Sequence, residues 1–182
     1  MEFTLWYDGP LPARGKAAIK GQIRQALDVQ LRELWTHLPL SDHSHLLARS
    51  TEGGLSSLVG RHGHTFAAVV SRSLGLRAEL DILMLRPSSP GDLVNKGDID
   101  NQLKTLLDGL SAPAQPTQVP DGMRATTDED PMHVLLEDDS LITRLNVETE
   151  RLLGAPGPDE VRLTIRVTTR VVKPMYGNMG LA

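Results

Sequence analysis

Apolar residues recur every three or four positions in two segments of the chain, which is the spacing of an amphipathic helix. The first segment extends from about Lys16 to His37 and ends before Pro39, a residue that cannot continue a helix. The second extends from Asp98 to about Leu110. Its apolar stripe consists of Ile99, Leu103, Leu106, Leu107 and Leu110. The pattern therefore predicts two main helices, each with one face turned towards a core.

Five further segments have the composition or the alternation that is typical of β-strands. They are residues 2–7, 64–71, 76–86, 141–148 and 160–172. The second and third are separated only by a short turn that contains Gly75, so we expect them to form a hairpin. In chain order, these elements predict an α+β fold in which two main helices pack against a mixed sheet of about five strands.

Two long connections have no clear periodicity. Residues 40–64 are rich in Ser, Gly and His, and the segment after the second helix is rich in Pro, Thr and acidic residues. Such compositions indicate irregular surface connections. Because 182 residues with 40% apolar content suffice for one core, we expect a single domain over residues 1–182 with loop insertions.

Composition restricts both the chemistry and the expected location. The chain has no cysteine, which excludes disulfides, thiolate metal sites and cysteine nucleophiles, so a metal would need oxygen or imidazole ligands. The N-terminus lacks a signal-peptide pattern, and no apolar run is long enough to cross a bilayer. We therefore expect a cytoplasmic protein without membrane contact. The net charge of −4 argues against a general nucleic-acid coat protein.

Acidic residues cluster where the second helix begins, in the sequence GDIDNQLKTLLDGL. Asp98 and Asp100 lie at its first turn, and Asp100, Lys104 and Asp108 follow one another at intervals of four on one face. A second cluster, Glu137-Asp138-Asp139, precedes a predicted strand. Carboxylates that converge repel one another unless a cation neutralises them, and oxygen ligands favour Mg²⁺ or Mn²⁺. The structural alternative has Asp98 as a helix cap, Asp100 paired with Lys104, and a solvated acidic turn.

The spacing of these residues resembles that of the RusA family of crossover-junction endodeoxyribonucleases, which resolve Holliday junctions in DNA recombination and repair and are frequent in bacteriophages and prophages. The family pattern is D-x-D-N-x-x-K, an aspartate four residues after the lysine, and a later D-D pair that opens a strand. The matching residues here are Asp98, Asp100, Asn101, Lys104, Asp108, Asp138 and Asp139. The resemblance implies a RusA-like fold and a metal-dependent nuclease.

The same resemblance assigns roles to the matching residues. Asp98, Asp100 and Asp139 would hold Mg²⁺, with Mn²⁺ as a substitute, and Lys104 would be the catalytic lysine. Asn101, Asp108 and Asp138 would be auxiliary. The expected substrate is branched DNA, cut by a homodimer because a two-fold enzyme suits a symmetric junction. Relative to the family, residues 40–64 and 111–136 are insertions.

Two alternatives remain open at the level of sequence. A non-catalytic module with the same fold would use the acidic cleft for a cation or a protein partner. A nuclease with the same chemistry would act on another branched DNA or on RNA.

Two basic stripes are candidates for nucleic-acid binding. One alternates with apolar residues along the last predicted strand, and the other lies on the first predicted helix. The residues are Arg162, Arg166 and Arg170 on the strand, and Lys16, Lys20 and Arg24 on the helix. The alternative for each stripe is an ordinary solvated face.

Overall fold

The fold is seen in a computed structural model that describes residues 1–50, 54–87 and 98–181, with only the backbone described at Asp98. The two predicted helices are confirmed as α1, Ala17–Leu34, and α2, Asp98–Leu110. The strands are β1 Glu2–Pro10, β2 Leu58–Arg61, β3 His64–Val70, β4 Leu76–Arg86, β5 Met132–Leu136, β6 Ile142–Arg151 and β7 Glu160–Val171. The fold is therefore α+β, as the pattern predicts.

The strands form two mixed sheets. The larger sheet has the order β1-β7-β4-β6, in which β7 is antiparallel to both neighbours and β6 is parallel to β4. The smaller sheet has the order β2-β3-β5, with an antiparallel and a parallel pair. The prediction of one sheet of about five strands is thus wrong, and so is the predicted hairpin, because β3 and β4 belong to different sheets.

The two additional strands lie in the segments expected to be irregular. β5 is buried along its whole length, so it shows no alternation of apolar and polar residues from which a strand could be predicted. β2 has only four residues, too few for a recognisable pattern. Both long connections therefore contribute to the folded structure, and Leu40, Leu46, Leu135 and Leu136 from these connections belong to the main core.

The helices pack over one face of the larger sheet. Ile23, Leu27 and Leu31 form the buried stripe of α1 and join a core that includes inward residues of β7. These β7 residues are Val161, Leu163, Ile165 and Val167. Helix α2 lies against α1, and Gly109 permits close contact because a Cβ there would be 2.8 Å from Ile23 Cγ2. This packing fixes which face of α2 reaches the surface.

No helix in the described ranges has both the length and the apolar character needed to span a bilayer.

Candidate metal and nucleic-acid site

Helix α2 carries two of the candidate residues on its exposed face. Its apolar side is held in the core by Leu106 and Leu110, so Asp100 and Lys104 are directed outwards and are both exposed. Neither forms a hydrogen bond or an ion pair with another described residue, and the Asp100–Lys104 ion pair of the structural alternative is absent there. Asn101 is also exposed. The helix therefore presents a carboxylate and an ammonium group one turn apart, and neither is paired within the described residues.

The second acidic cluster lies in a tight turn between β5 and β6. Asp138 caps the 3₁₀ turn Asp139–Leu141 by accepting a hydrogen bond from the backbone N–H of Ser140 at 3.0 Å, and it also accepts one from the Ser140 hydroxyl. These bonds, above all that from the hydroxyl, hold the pKa of Asp138 below its usual value. Leu141 anchors the turn in the core, and the turn contacts α2.

Asp139 differs from its neighbour in having no partner. Its side chain is exposed and is joined to no other described residue by a hydrogen bond or an ion pair. The two members of the D-D pair are therefore distinct, since Asp138 shapes the turn while Asp139 presents a carboxylate to solvent.

Arg72, which the sequence analysis did not identify, binds this turn from the connection between β3 and β4. Its backbone N–H and Nη1 donate to the Glu137 carboxylate at 2.7 and 3.2 Å, and its Nη2 donates to Ser140 Oγ at 3.0 Å. Nη2 also lies 3.3 Å from Asp138 Oδ1. Arg72 thus holds the segment on both sides of Asp138. No local pattern could reveal it, because its partners are more than sixty residues away along the chain.

The structure describes the side chains of only two of the three expected metal ligands, Asp100 and Asp139. In the described part of the chain, no three His, Asp or Glu side chains are grouped so that they could hold a metal ion. The side chain of Asp98, the third expected ligand, lies outside that part. Asp100 and Asp139 supply oxygen donors that no other described residue binds, and they lie on two elements that contact each other. Carboxylate oxygen suits a hard divalent cation.

Asp108, to which the family pattern gives an auxiliary role, is bound by protein groups between the two helices. Its Oδ2 forms an ion pair with Lys20 Nζ at 2.6 Å, and its Oδ1 accepts a hydrogen bond from Gln118 Nε2 at 3.2 Å. Lys20 and Asp108 are each only 16% exposed at the side chain. The two charges therefore bind each other between α1 and α2, and Lys20 is not displayed as the predicted phosphate contact.

The prediction of Arg24 as a nucleic-acid contact is wrong, because its side chain is buried and only 1% of the residue is exposed. Its guanidinium donates to the backbone carbonyls of Ser111, Gln118 and Asp108 at 2.9, 3.1 and 2.6 Å. Burial lowers the pKa of Arg24 to about 10, opposed by the Asp108 charge, so it stays protonated at neutral pH. Sequence reasoning missed this because residues 111–136 cover that side of α1.

The predicted arginine stripe of β7 is exposed, but each member has an acidic neighbour. Arg162 pairs with Asp8 at 2.7 Å. Arg166 pairs with Glu2 at 2.8 Å, and Arg170 pairs with Glu79 at 2.9 Å. On this outer face of the larger sheet, the arginines are therefore neutralised by carboxylates and do not form a basic strip. Among the predicted basic residues, Lys16 alone is exposed without a partner in the described chain.

A polar pair of buried His133 and half-buried Asp28 lies away from this site. Asp28 Oδ1 accepts a hydrogen bond from the backbone N–H of His133 at 2.7 Å and lies 3.1 Å from its Nδ1. Burial tends to raise the pKa of Asp28, but the contacts with His133 and the charge of Arg32 outweigh it and leave that pKa below its usual value. The pair joins α1 to β5 and is a structural feature.

Comparison with protein-family models, with curated proteins and with solved structures found no match.

Proposed function

We propose that this protein is a Mg²⁺-dependent endonuclease of RusA type that hydrolyses phosphodiester bonds in branched DNA. One contrast among the charged residues carries the proposal. Asp100, Lys104 and Asp139 are exposed and have no partner in the described chain, whereas the neighbouring Asp108 and Asp138 are engaged by protein groups. The unpaired residues are those that the family pattern assigns to metal binding and catalysis.

The charge balance of this region favours a cation as ligand. Asp100 and Asp139 belong to elements in contact. In the proposed site both carboxylates bind one ion, whose positive charge offsets the repulsion between them. Oxygen donors of this kind prefer small hard ions such as Mg²⁺ or Mn²⁺. Asp98, Asp100 and Asp139 would hold the ion, which supplies polarisation of the phosphate and activation of water.

The chain's own residues have separate tasks in the proposed reaction. Lys104 stabilises the negative charge that develops on the phosphate during in-line attack. Asp138 and Arg72 keep the turn that carries Asp139 in one conformation, so the carboxylate needs little rearrangement to act. Asn101 would orient a ligand carboxylate.

The remaining parts of the proposal follow from the substrate. A symmetric four-way junction suits a two-fold enzyme, so we propose a homodimer that makes paired cuts. The cytoplasm, where such DNA is processed in bacteria and infecting phages, is the proposed location.

A junction-cleavage assay tests this function. Purified protein is incubated with a synthetic four-way junction or a matched linear duplex, in Mg²⁺, Mn²⁺ or EDTA, beside the variants Asp100→Asn and Asp121→Asn. Asp121 is an exposed aspartate of the 111–136 segment and serves as the control. We expect paired nicks in the junction alone, lost with EDTA and in Asp100→Asn and kept in Asp121→Asn.

Other outcomes separate the alternatives. Absence of cleavage by the folded, metal-bound protein would favour the non-catalytic binding module. Cleavage of other branched DNA or of RNA in preference to the junction would keep the chemistry and change the substrate. Cleavage that Asp100→Asn leaves intact would remove this residue from the site.

A further inference from the structure

The loop that precedes α1, residues 11–16, is held against α2. Gln102 Nε2 donates a hydrogen bond to the carbonyl of Leu11 at 2.8 Å, and Thr105 Oγ1 accepts one from the backbone N–H of Gly15 at 3.2 Å. Leu11 is fully buried. The loop is therefore fixed at both ends to the helix that carries Asp100 and Lys104.

Gly15 is the point of closest approach. A Cβ at this position would lie 2.1 Å from Thr105 Cγ2, so any residue with a side chain would push the loop away from the helix. Because Thr105 directly follows Lys104, this contact sets the loop beside the part of α2 that carries the proposed catalytic lysine.

The residues on either side of Gly15 are basic and available. Arg14 and Lys16 are both exposed, and neither forms an ion pair or a side-chain hydrogen bond with another described residue. This distinguishes them from the other predicted phosphate contacts. Lys20 and Arg24 are engaged by protein groups, and the arginines of β7 are paired with carboxylates.

We propose that residues 11–16 form a phosphate-binding loop that holds the DNA backbone beside the acidic site, with Arg14 and Lys16 as its contacts. The partner is the phosphodiester backbone of DNA, since unpaired basic side chains gain most from releasing the counterions of a dense polyanion. This inference rests on the proposed function, because the loop lies next to Lys104, the proposed catalytic lysine.

DNA binding at several salt concentrations tests the loop without any need for cleavage. The full chain is titrated onto a fluorescent four-way junction in EDTA, for the wild type, Arg14→Gln, Lys16→Gln and the double variant. Each lost phosphate contact is expected to lower the slope of log affinity against log salt by about 0.9, and the affinity at 0.1 M salt about tenfold. Arg162→Gln, whose arginine is paired with Asp8, is the matched control and keeps the wild-type slope.

A charge-neutral variant tests the docking of the loop separately. Gly15→Val leaves every charge in place but forces the loop off Thr105, so we expect weaker junction binding together with a cooperative unfolding transition that shows the protein is folded.

The outcomes distinguish this inference from the proposed function. If the double variant keeps the wild-type slope of log affinity against log salt, the loop does not bind phosphate, even if the protein cuts junctions. If the slope is reduced but the protein cleaves no DNA with any metal, the phosphate-binding loop is supported and the proposed nuclease function is rejected. Failure of the wild type to bind DNA at low salt, or a clear preference for an RNA of the same shape, overturns the assignment of DNA as the partner.

Discussion

At the scale of single residues, the same residue type has opposite roles within a few positions. Asp138 caps a turn and Asp108 neutralises a half-buried lysine, while Asp100 and Asp139 have no partner in the described chain. The resemblance to the RusA family pattern is what assigns Asp100, Lys104 and Asp139 to metal binding and catalysis, since their spacing alone is also consistent with a structural role. It could not separate them from Asp108 and Asp138, because Lys20 and Arg72, which bind these two carboxylates, come from distant segments.

The contact between half-buried Asp28 and His133 should make the stability of the protein depend on pH in the acidic range. The pKa of Asp28 is lower in the folded protein than in the unfolded chain, so the unfolded state takes up a proton first as the pH falls. The stabilisation by this carboxylate is therefore fully present above its ordinary pKa, near 4, and is lost as the pH falls through the folded value.

Chemical denaturation at several pH values checks this. Asp28→Asn should lower the free energy of unfolding at pH 6, and its deficit relative to the wild type should shrink below about pH 4. A deficit that stays constant over the whole range would show that the charge of Asp28 does not contribute.

At the scale of elements, apolar periodicity predicts helices well and short buried strands poorly. The stripe of α1 at four-residue spacing, Ile23, Leu27 and Leu31, is buried as expected. β5 could not be identified as a strand, since all five of its residues are buried and its sequence gives no period of two. Which strands pair is decided by contacts across the chain, so the division into two sheets could not be predicted.

Gly109 tests the packing of α2 on α1. In an isolated helix Gly109→Ala would raise stability by up to about 1 kcal/mol. Here the added methyl group collides with Ile23, and overpacking of this kind costs about 1–3 kcal/mol, so we expect a net loss in the free energy of unfolding.

The double variant Gly109→Ala with Ile23→Ala provides the control. Removing part of the Ile23 side chain makes room for the new methyl group, so Gly109→Ala should be less harmful in that background than in the wild type. Additive effects of the two substitutions, measured by denaturant unfolding, would contradict the close contact.

At the scale of the whole molecule, the two long connections are integral to the fold. The 111–136 segment includes β5 and covers one side of α1. Its backbone carbonyls accept hydrogen bonds from Arg24 of α1. The sequence predicted a surface loop here because most of the segment is polar, and the apolar run at its end is short. The charged face of the larger sheet, in contrast, alternates as predicted, although its arginines are paired.

Substitution of Arg24 tests how much the 111–136 segment contributes to the stability of the fold. Arg24→Met fills a similar volume but removes the guanidinium donor from three backbone carbonyls, so we expect the free energy of unfolding to fall by at least about 3 kcal/mol. Arg162→Met, at an exposed ion pair, should change it by less than about 1 kcal/mol. Equal effects of the two substitutions would contradict the structural role of Arg24.

The central claim is that Asp100 and Asp139 hold one divalent cation together. Electron paramagnetic resonance of Mn²⁺ measures this directly, through the loss of the free-ion signal as protein is added. We expect Asp100→Asn and Asp139→Asn each to weaken binding at least about tenfold, the double variant to lose little more, and Asp121→Asn to bind as the wild type does. Wild-type Mn²⁺ binding in both single variants, or no binding by the wild type, would contradict the account.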